Sequence, residues 1–461
     1  MSDSPTRRDV LITAAAACAL PIAGCASTAP ASSLPPIVFV PGNGDTAALW
    51  TTTLWRFESN GWPRDRLHAM EIPYPLARDD DTRPQPGRSS TAEHMAQVAA
   101  EVRKVLAATG ASRVALVGNS RGGYAIRNFI ANGGGAGVVS HVVLGGVPNH
   151  GVFADATSRL GNEFNGAGPF LTGLNSPPGA EDKEVQPGIA WMTIRSDNND
   201  KYAQPDGVWI GARGTPTNVS FDGPALKGAD NIVVPGIDHR ETSFGVRAFE
   251  RTFRFIAGRA PATLAIVPES RVVLDGVVSG LGLENRQGSF ATNLPLVGAT
   301  VEVFATRPGT GERSGAAVHA KTIGSDGRWG PFVADGSATY EFVVAAPGYA
   351  TTHVYRSPFP RSSNIVSLRP ERLADADRNA QSLVVFTRPR GYFGVPRDRI
   401  VLDGASPPAG IPAGVAGVSS TRLKLADGEA RAVVGEFNGE RIVGRTWPVA
   451  GNHVVVLELT S

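Results

Sequence analysis

RVALVGNSRGGYAIRNFI, residues 113–130, changes its period halfway along. Val114, Ala115, Leu116 and Val117 form a short apolar run of the kind a buried strand needs. Beyond Gly118-Asn119-Ser120-Arg121-Gly122 the apolar positions fall at Tyr124, Ile126, Phe129 and Ile130, which is helical spacing. The stretch therefore reads as strand, tight turn, helix, with Ser120 at the turn. A serine on such a bend is held with its hydroxyl clear of the sheet. The helix N-terminus behind it offers backbone N–H groups to a developing oxyanion. Gly118 and Gly122 are small because strand and helix pass close to the turn. In a chain with 54 glycines, Gly-x-Ser-x-Gly alone occurs by chance on the order of a few tenths of a time. The competing reading, a glycine-rich turn with a solvated serine, is answered by context: the motif directly follows a strand pattern and opens a helix.

On the N-terminal side, Pro36-Ile37-Val38-Phe39-Val40 is another buried-type strand, ending in Pro41-Gly42-Asn43-Gly44. A phosphate-binding loop starts the same way. Here no lysine follows, and no acidic residue closes a second strand at dinucleotide spacing. A Trp-rich stretch (Trp50, Trp55, Phe57, Trp62) leads to a strand at 67–72. Asp79-Asp80-Asp81 is a solvated loop, since a calcium site would need further oxygen partners. Met95, Val98, Val102, Val105 and Leu106 predict a helix over 91–109.

On the C-terminal side, a strand over 141–146 ends in Val147-Pro148-Asn149-His150-Gly151. Residues 152–188 contain no clear strand and carry Leu160, Phe164, Phe170, Leu171 and Leu174. Such a segment reads as a lid or acyl-chain pocket, or as packed surface. A strand at 189–195 is followed by Ser196-Asp197-Asn198-Asn199-Asp200 and, further on, Pro205 and Asp206. A strand at 231–234 precedes Asp238-His239, and a helix is expected over 244–256. Carboxylates and histidine thus follow successive strands, on the side where open α/β sheets place their sites.

With Gly118-Asn-Ser120-Arg-Gly122, Leu-Gly-Gly-Val-Pro-Asn-His-Gly at 144–151, Asp200 to Pro205 and Asp238-His239, residues 35–258 resemble a bacterial or archaeal lipase of the α/β-hydrolase family. The resemblance implies a mostly parallel sheet with helices on both faces. It also implies an ester hydrolase whose Ser120, Asp200 and His239 form a triad in the fold's chain order. Asp197, Asp200 and Asp206 compete for the middle place; Asp200 keeps the family's Asp, four residues, Pro spacing, with Asp197 next. The N–H groups of Asn43 and Arg121 would form the oxyanion hole, and His150 would support the loop beneath the site. No metal or organic cofactor is implied.

From Gly258 the character changes to short β-branched strands separated by Gly, Asp, Asn and Pro turns. Residues 261–370 resemble a transthyretin-like sandwich, and 371–461 read as a second β unit. The α/β domain is thus followed by an all-β sandwich or barrel region. The arrangement resembles two-domain lipases whose β domain borders the active site and contacts lipid; a passive spacer is the alternative.

The first residues are an address. Thr6-Arg7-Arg8-Asp9-Val10-Leu11 resembles a twin-arginine export motif, followed by an apolar run too short to span a bilayer permanently. Ile22-Ala23-Gly24-Cys25 resembles a lipobox, so residues 1–25 are expected to be a signal peptide, Cys25 the acylated residue and 26–34 a tether. The expected location is the periplasm or cell surface, membrane-anchored through Cys25, or secreted. Cys18 and Cys25 are the only cysteines, which leaves the processed chain no disulfide. Lys and Arg number 44 against 42 Asp and Glu, a balance that points to no nucleic acid and no strongly acidic partner. The expected partner is a hydrophobic ester.

Overall fold

The structure, a computed structural model, describes residues 34–197, 199–204, 214, 218, 222–282, 284–285, 288–289 and 292–461. Cys25, with the rest of the expected signal peptide, and Pro205 and Asp206 lie outside the described residues. The first half is built on six parallel strands: β1 (Ile37–Val40), β2 (Leu67–Ala69), β3 (Val114–Asn119), β4 (Val139–Gly145), β5 (Ala190–Arg195) and β6 (Asp230–Val233). Their spatial order is β2-β1-β3-β4-β5-β6, with Ile37 opposite Ala115 and Val40 opposite Gly118. Every residue of β1 and β3 is buried. That is why both read as unbroken apolar runs: parallel strands are covered on both faces.

Two apolar layers do the covering. On one face α2 (Thr91–Thr109) and α3 (Arg121–Asn132) pack Val98, Val102, Ile126 and Phe129 against Val38, Leu116 and Leu144. Ser90 caps α2 by accepting from the Glu93 N–H, while the Glu93 side chain accepts from the Ser90 N–H. On the other face α1 (Thr51–Ser59) and α4 (Val246–Ala257) bring Trp50, Phe57, Trp62, Phe249 and Phe253 onto Phe39 and Val117. Phe57 meets Phe249 edge-on, with ring centroids 5.3 Å apart. The helix expected over 244–256 is split into Glu241–Phe244 and α4. Gly245 between them is extended (φ −58°, ψ 149°), so one continuous helix cannot pass through it.

The second half is built around a mixed sheet of seven strands: β7 (Thr300–Thr306), β8 (His319–Thr322), β9 (Thr339–Ala345), β10 (Thr351–Arg356), β11 (Ser382–Thr387), β12 (Ser420–Leu425) and β13 (His453–Glu458). Its order is β8-β7-β9-β10-β13-β11-β12. The expected division at 370/371 does not interrupt it, because β13 pairs in parallel with β10 on one side and β11 on the other. Side-chain alternation then gives the sheet two cores. Val385, Val454 and Val456 share one face with Phe342 and cluster with Trp329. Val384, Phe386, Val455 and Leu457 face Phe393, Phe437 and Ile442. A three-stranded antiparallel sheet (Ile400–Leu402, Ala432–Phe437, Glu440–Arg445) supplies the second cover. Trp55 of α1 leaves its own half to join the first of these cores, donating its Nε1–H to the Ser362 carbonyl at 2.8 Å.

Candidate active site

The turn after β3 is strained. Ser120 has φ 48° and ψ −124°, backbone that L-residues rarely adopt and that costs about 1–3 kcal/mol. Its surroundings compel it: a Cβ at Gly122 would lie 2.5 Å from the Val40 and Pro41 carbonyl oxygens. A Cβ at Gly118 would lie 2.9 Å from the Gly123 nitrogen. The start of α3 is thus pressed against the loop after β1, and Gly42 of that loop approaches Ser120 closely enough that an added Cβ would sit 3.2 Å from its Cβ. Asn43 is pinned by its side chain, whose Oδ1 accepts from the Ala77 N–H at 2.8 Å. Among the described residues neither the Asn43 nor the Arg121 backbone N–H has an acceptor. Two donors therefore remain available beside Ser120.

Asp200 follows β5 and His239 follows β6. Their side chains meet: His239 Nδ1 lies 2.7 Å from Asp200 Oδ2, with both residues buried. An ionised carboxylate can only accept, so the proton sits on Nδ1 and Nε2 carries the free lone pair. That Nε2 is buried and has no partner among the described residues. Asp200 is itself oriented by the Tyr202 N–H, 2.8 Å from Oδ1, and the Tyr202 ring stands edge-on to the imidazole at 4.6 Å. Asp197 is occupied elsewhere. Its Oδ2 accepts from the Gly236 N–H at 3.0 Å and its Oδ1 from the Asn199 N–H at 3.1 Å, which ties the β5 and β6 loops together. His150 does not join the pair; its Nε2 lies 3.0 Å from Glu184.

Ser120, His239 and Asn43 line one cavity of about 240 Å³. Val152, Phe153 and Phe164 of the 152–188 segment form its apolar wall. A base nitrogen with a free lone pair, a strained serine, two unpaired N–H donors and an apolar wall suit nucleophilic attack on an apolar acyl group. The three carboxylates at 79–81 are engaged locally, by Gln85, Thr82 and Thr91 respectively.

Several groups that hold this site escape sequence reading. Arg121 matters through its side chain as well as its backbone. Its buried guanidinium makes five hydrogen bonds, two to Glu163 (2.6 and 2.9 Å), two to Ser89 and one to the Pro75 carbonyl. Burial pushes the Glu163 carboxyl up, against the pull of Arg121. Asn119 donates to Ser243 Oγ at 2.8 Å and to the His239 carbonyl at 3.4 Å, joining the serine turn to the histidine loop. Arg240 pairs with Asp45, joining that loop to the one bearing Asn43. The residue between Ser and each flanking Gly is a signal one can look for, but Glu163 lies 42 positions from its partner in no repeating pattern.

The family model of the class 2 lipases matches residues 35–154, and that of the lipase C-terminal domain matches residues 270–373. No curated protein matches the chain. Among solved structures, the Bacillus licheniformis lipase BlEst2 in its propeptide form is similar at 15% identity and TM-score 0.37, over 91% of this chain and 93% of that one. Aspergillus fumigatus lipase B is similar at 16% identity and TM-score 0.35, over 50% and 54%. A monoacylglycerol lipase of Paleococcus ferrophilus is similar at 11% identity and TM-score 0.33, over 49% and 96%. An α/β region similar to the class 2 lipases is thus followed, in the same chain, by a region similar to the lipase C-terminal domain.

Proposed function

We propose that the protein hydrolyses hydrophobic carboxylic esters, acylglycerols among them, through an acyl-enzyme on Ser120. The observation that carries this reading is the Asp200–His239 hydrogen bond, with the bare Nε2 and Ser120 sharing one apolar-walled cavity. Nε2 takes the Ser120 proton as Oγ attacks the ester carbonyl. Asp200 holds the ring in its tautomer and stabilises the imidazolium. The Asn43 and Arg121 N–H groups receive the oxyanion, each worth roughly 3 kcal/mol in the transition state. The imidazolium then protonates the leaving alcohol. A water, activated by the same nitrogen, releases the acid and restores Ser120.

A serine-directed phosphonate should label Ser120 stoichiometrically, and Ser120→Ala should lower ester hydrolysis by about a thousandfold or more in a folded protein. Retained activity in the purified variant removes the turn from the mechanism. A panel of short esters, long acylglycerols, polyesters and amides assigns the substrate class; faster turnover of polyesters or amides would replace the acylglycerol reading.

The same proposal places the enzyme at a membrane through acylated Cys25 after twin-arginine export, which suits water-insoluble substrates. Cys25→Ser should remove the acyl mass from the N-terminal peptide and shift the protein out of the membrane fraction. Unchanged fractionation and an unmodified wild-type peptide would defeat it.

A further inference from the structure

The loops bearing Asp200 and His239 both end against the β half. Asp238, next to His239, is fully buried. Its Oδ1 accepts from the N–H groups of Arg240 and Glu241 at 2.8 and 2.9 Å. Its Oδ2 is held from across the domain boundary, by Arg388 Nη1 at 2.7 Å and the Tyr392 N–H at 2.9 Å. The other end of the same guanidinium, Nη2, donates to Glu241 at 2.6 Å, and Arg397 donates to Glu241 at 2.9 Å. Two acids of the hydrolase half and two arginines of the β half thus form one charge cluster directly behind the histidine.

The acid side is held in the same way. Lys201, adjacent to Asp200, donates Nζ to the Gly417 carbonyl at 3.3 Å, and its ammonium stands 4.2 Å from the centre of the Tyr392 ring. Arg240 covers that ring at 4.7 Å. Yet the described residues that line the cavity run only from Asn43 to His239, none of them from the β half.

We propose that Arg388, with the turn it shares with Tyr392, is a positioning residue for the Asp200–His239 pair, so that the β half is needed for turnover of short soluble esters as much as of long ones. The proposal rests on the ester-hydrolase reading above and goes beyond it. Without Arg388, the buried Asp238 and its half-buried neighbour Glu241 lose the cation they share and keep Arg397, at 3.6 and 2.9 Å, as their remaining arginine partner, and the loop must shift to relieve them. A displacement of about 1 Å at a reacting group costs on the order of a hundredfold in rate. The loss should fall on kcat, since the cavity walls belong to the other half. A module that only presented lipid would instead leave short esters untouched and raise KM for long ones.

The test uses full-length Arg388→Ala and Arg388→Lys with acetyl and hexadecanoyl 4-nitrophenyl esters. Arg388→Ala should lose about a hundredfold in kcat on both, with KM changed less than about threefold, and added guanidinium ion should restore part of the rate. Arg388→Lys, which keeps the charge and serves if the alanine variant does not fold, should lose about tenfold in the same pattern. In the same variant the downfield Nδ1–H proton resonance of His239 should shift, a readout that needs no substrate. Wild-type kcat with an unmoved resonance overturns the proposal. So does a loss confined to KM on the long ester, or one that tracks Tm and ignores guanidinium. Failure of the ester reading would show separately, as a wild type that hydrolyses neither ester and leaves Ser120 unlabelled by phosphonate.

Discussion

The two halves bury charge to different ends. In the hydrolase half, Arg121 and Glu163 pair with both partners supplied from within, fastening the start of α3 to the loops at 75, 89 and 163. At the boundary, Arg388 comes from one half and Asp238 and Glu241 from the other, 150 and 147 residues away. The first cluster is complete as soon as the α/β sheet and its loops are in place; the second exists only after docking. A buried ion pair adds little net stability over an apolar replacement, but removing one member costs heavily. Such clusters therefore enforce an arrangement more than they strengthen it. The inner one enforces the serine turn, the outer one the histidine loop.

The largest expected effect sharpens the contrast between the two aspartates that follow β5. Asp200→Asn should lower kcat by about a thousandfold, about 4 kcal/mol in the barrier, whereas Asp197→Asn should stay within about tenfold. Steady-state kinetics on a short ester reads both. The reverse order would mean that the hydrogen bond to His239 is not the working one.

Next in size is the join between the halves. Trp55→Ala empties a site in the β half's own core and deletes the hydrogen bond to Ser362, so it should cost about 3–4 kcal/mol. Because the tryptophan belongs to α1, urea unfolding followed by far-UV signal and by ester hydrolysis should lose both together, at a lower midpoint. Hydrolysis that outlasts the melting of the β sheet would break the comparison, by showing that the halves are independent bodies.

The smallest effect concerns Glu71, which accepts from the Ala47 N–H near the same boundary and whose Oε1 has no partner among the described residues. Burial raises its carboxyl to about 7, against the pull of the Ala47 N–H and Arg369. The folded protein thus keeps this proton where the unfolded chain has released it. Its contribution is complete below the ordinary carboxyl range and is lost as pH rises toward 7. Glu71→Gln should flatten that fall and be more stable than wild type at pH 8 by up to about 2–3 kcal/mol. Equal pH slopes in thermal unfolding between pH 4.5 and 7.5 would show that the carboxylate stays charged throughout.

The parts of this molecule that repeat were legible, and the parts that join were not. Val114 to Val117 and Ile37 to Val40 declare buried parallel strands because a strand covered on both faces has no polar positions to interrupt the run. The serine turn was legible because three glycines and a change of period mark it. The choice of Asp200 over Asp197 came from family spacing alone, and the hydrogen bond to His239 agrees with that choice. Nothing comparable announces Arg121 to Glu163, Asn119 to Ser243 or Arg388 to Asp238. Those partners are 42, 124 and 150 residues apart, and each taken singly reads as a polar side chain open to water. The undivided β sheet was hidden for a similar reason: a parallel partner can lie any distance along the chain, and β13 pairs with β10 from about a hundred residues away.

The position of β13 has a consequence for timing. Of all the strands in its sheet it is synthesised last, yet it occupies an interior place between β10 and β11. At roughly 5–20 residues per second, it leaves the ribosome on the order of 10–40 s after His239. Throughout that interval the serine, the acid and the base are already made, but the sheet that carries Arg388 lacks an inner strand. If Arg388 positions the histidine loop as proposed, full turnover waits until the β half has closed around this last strand.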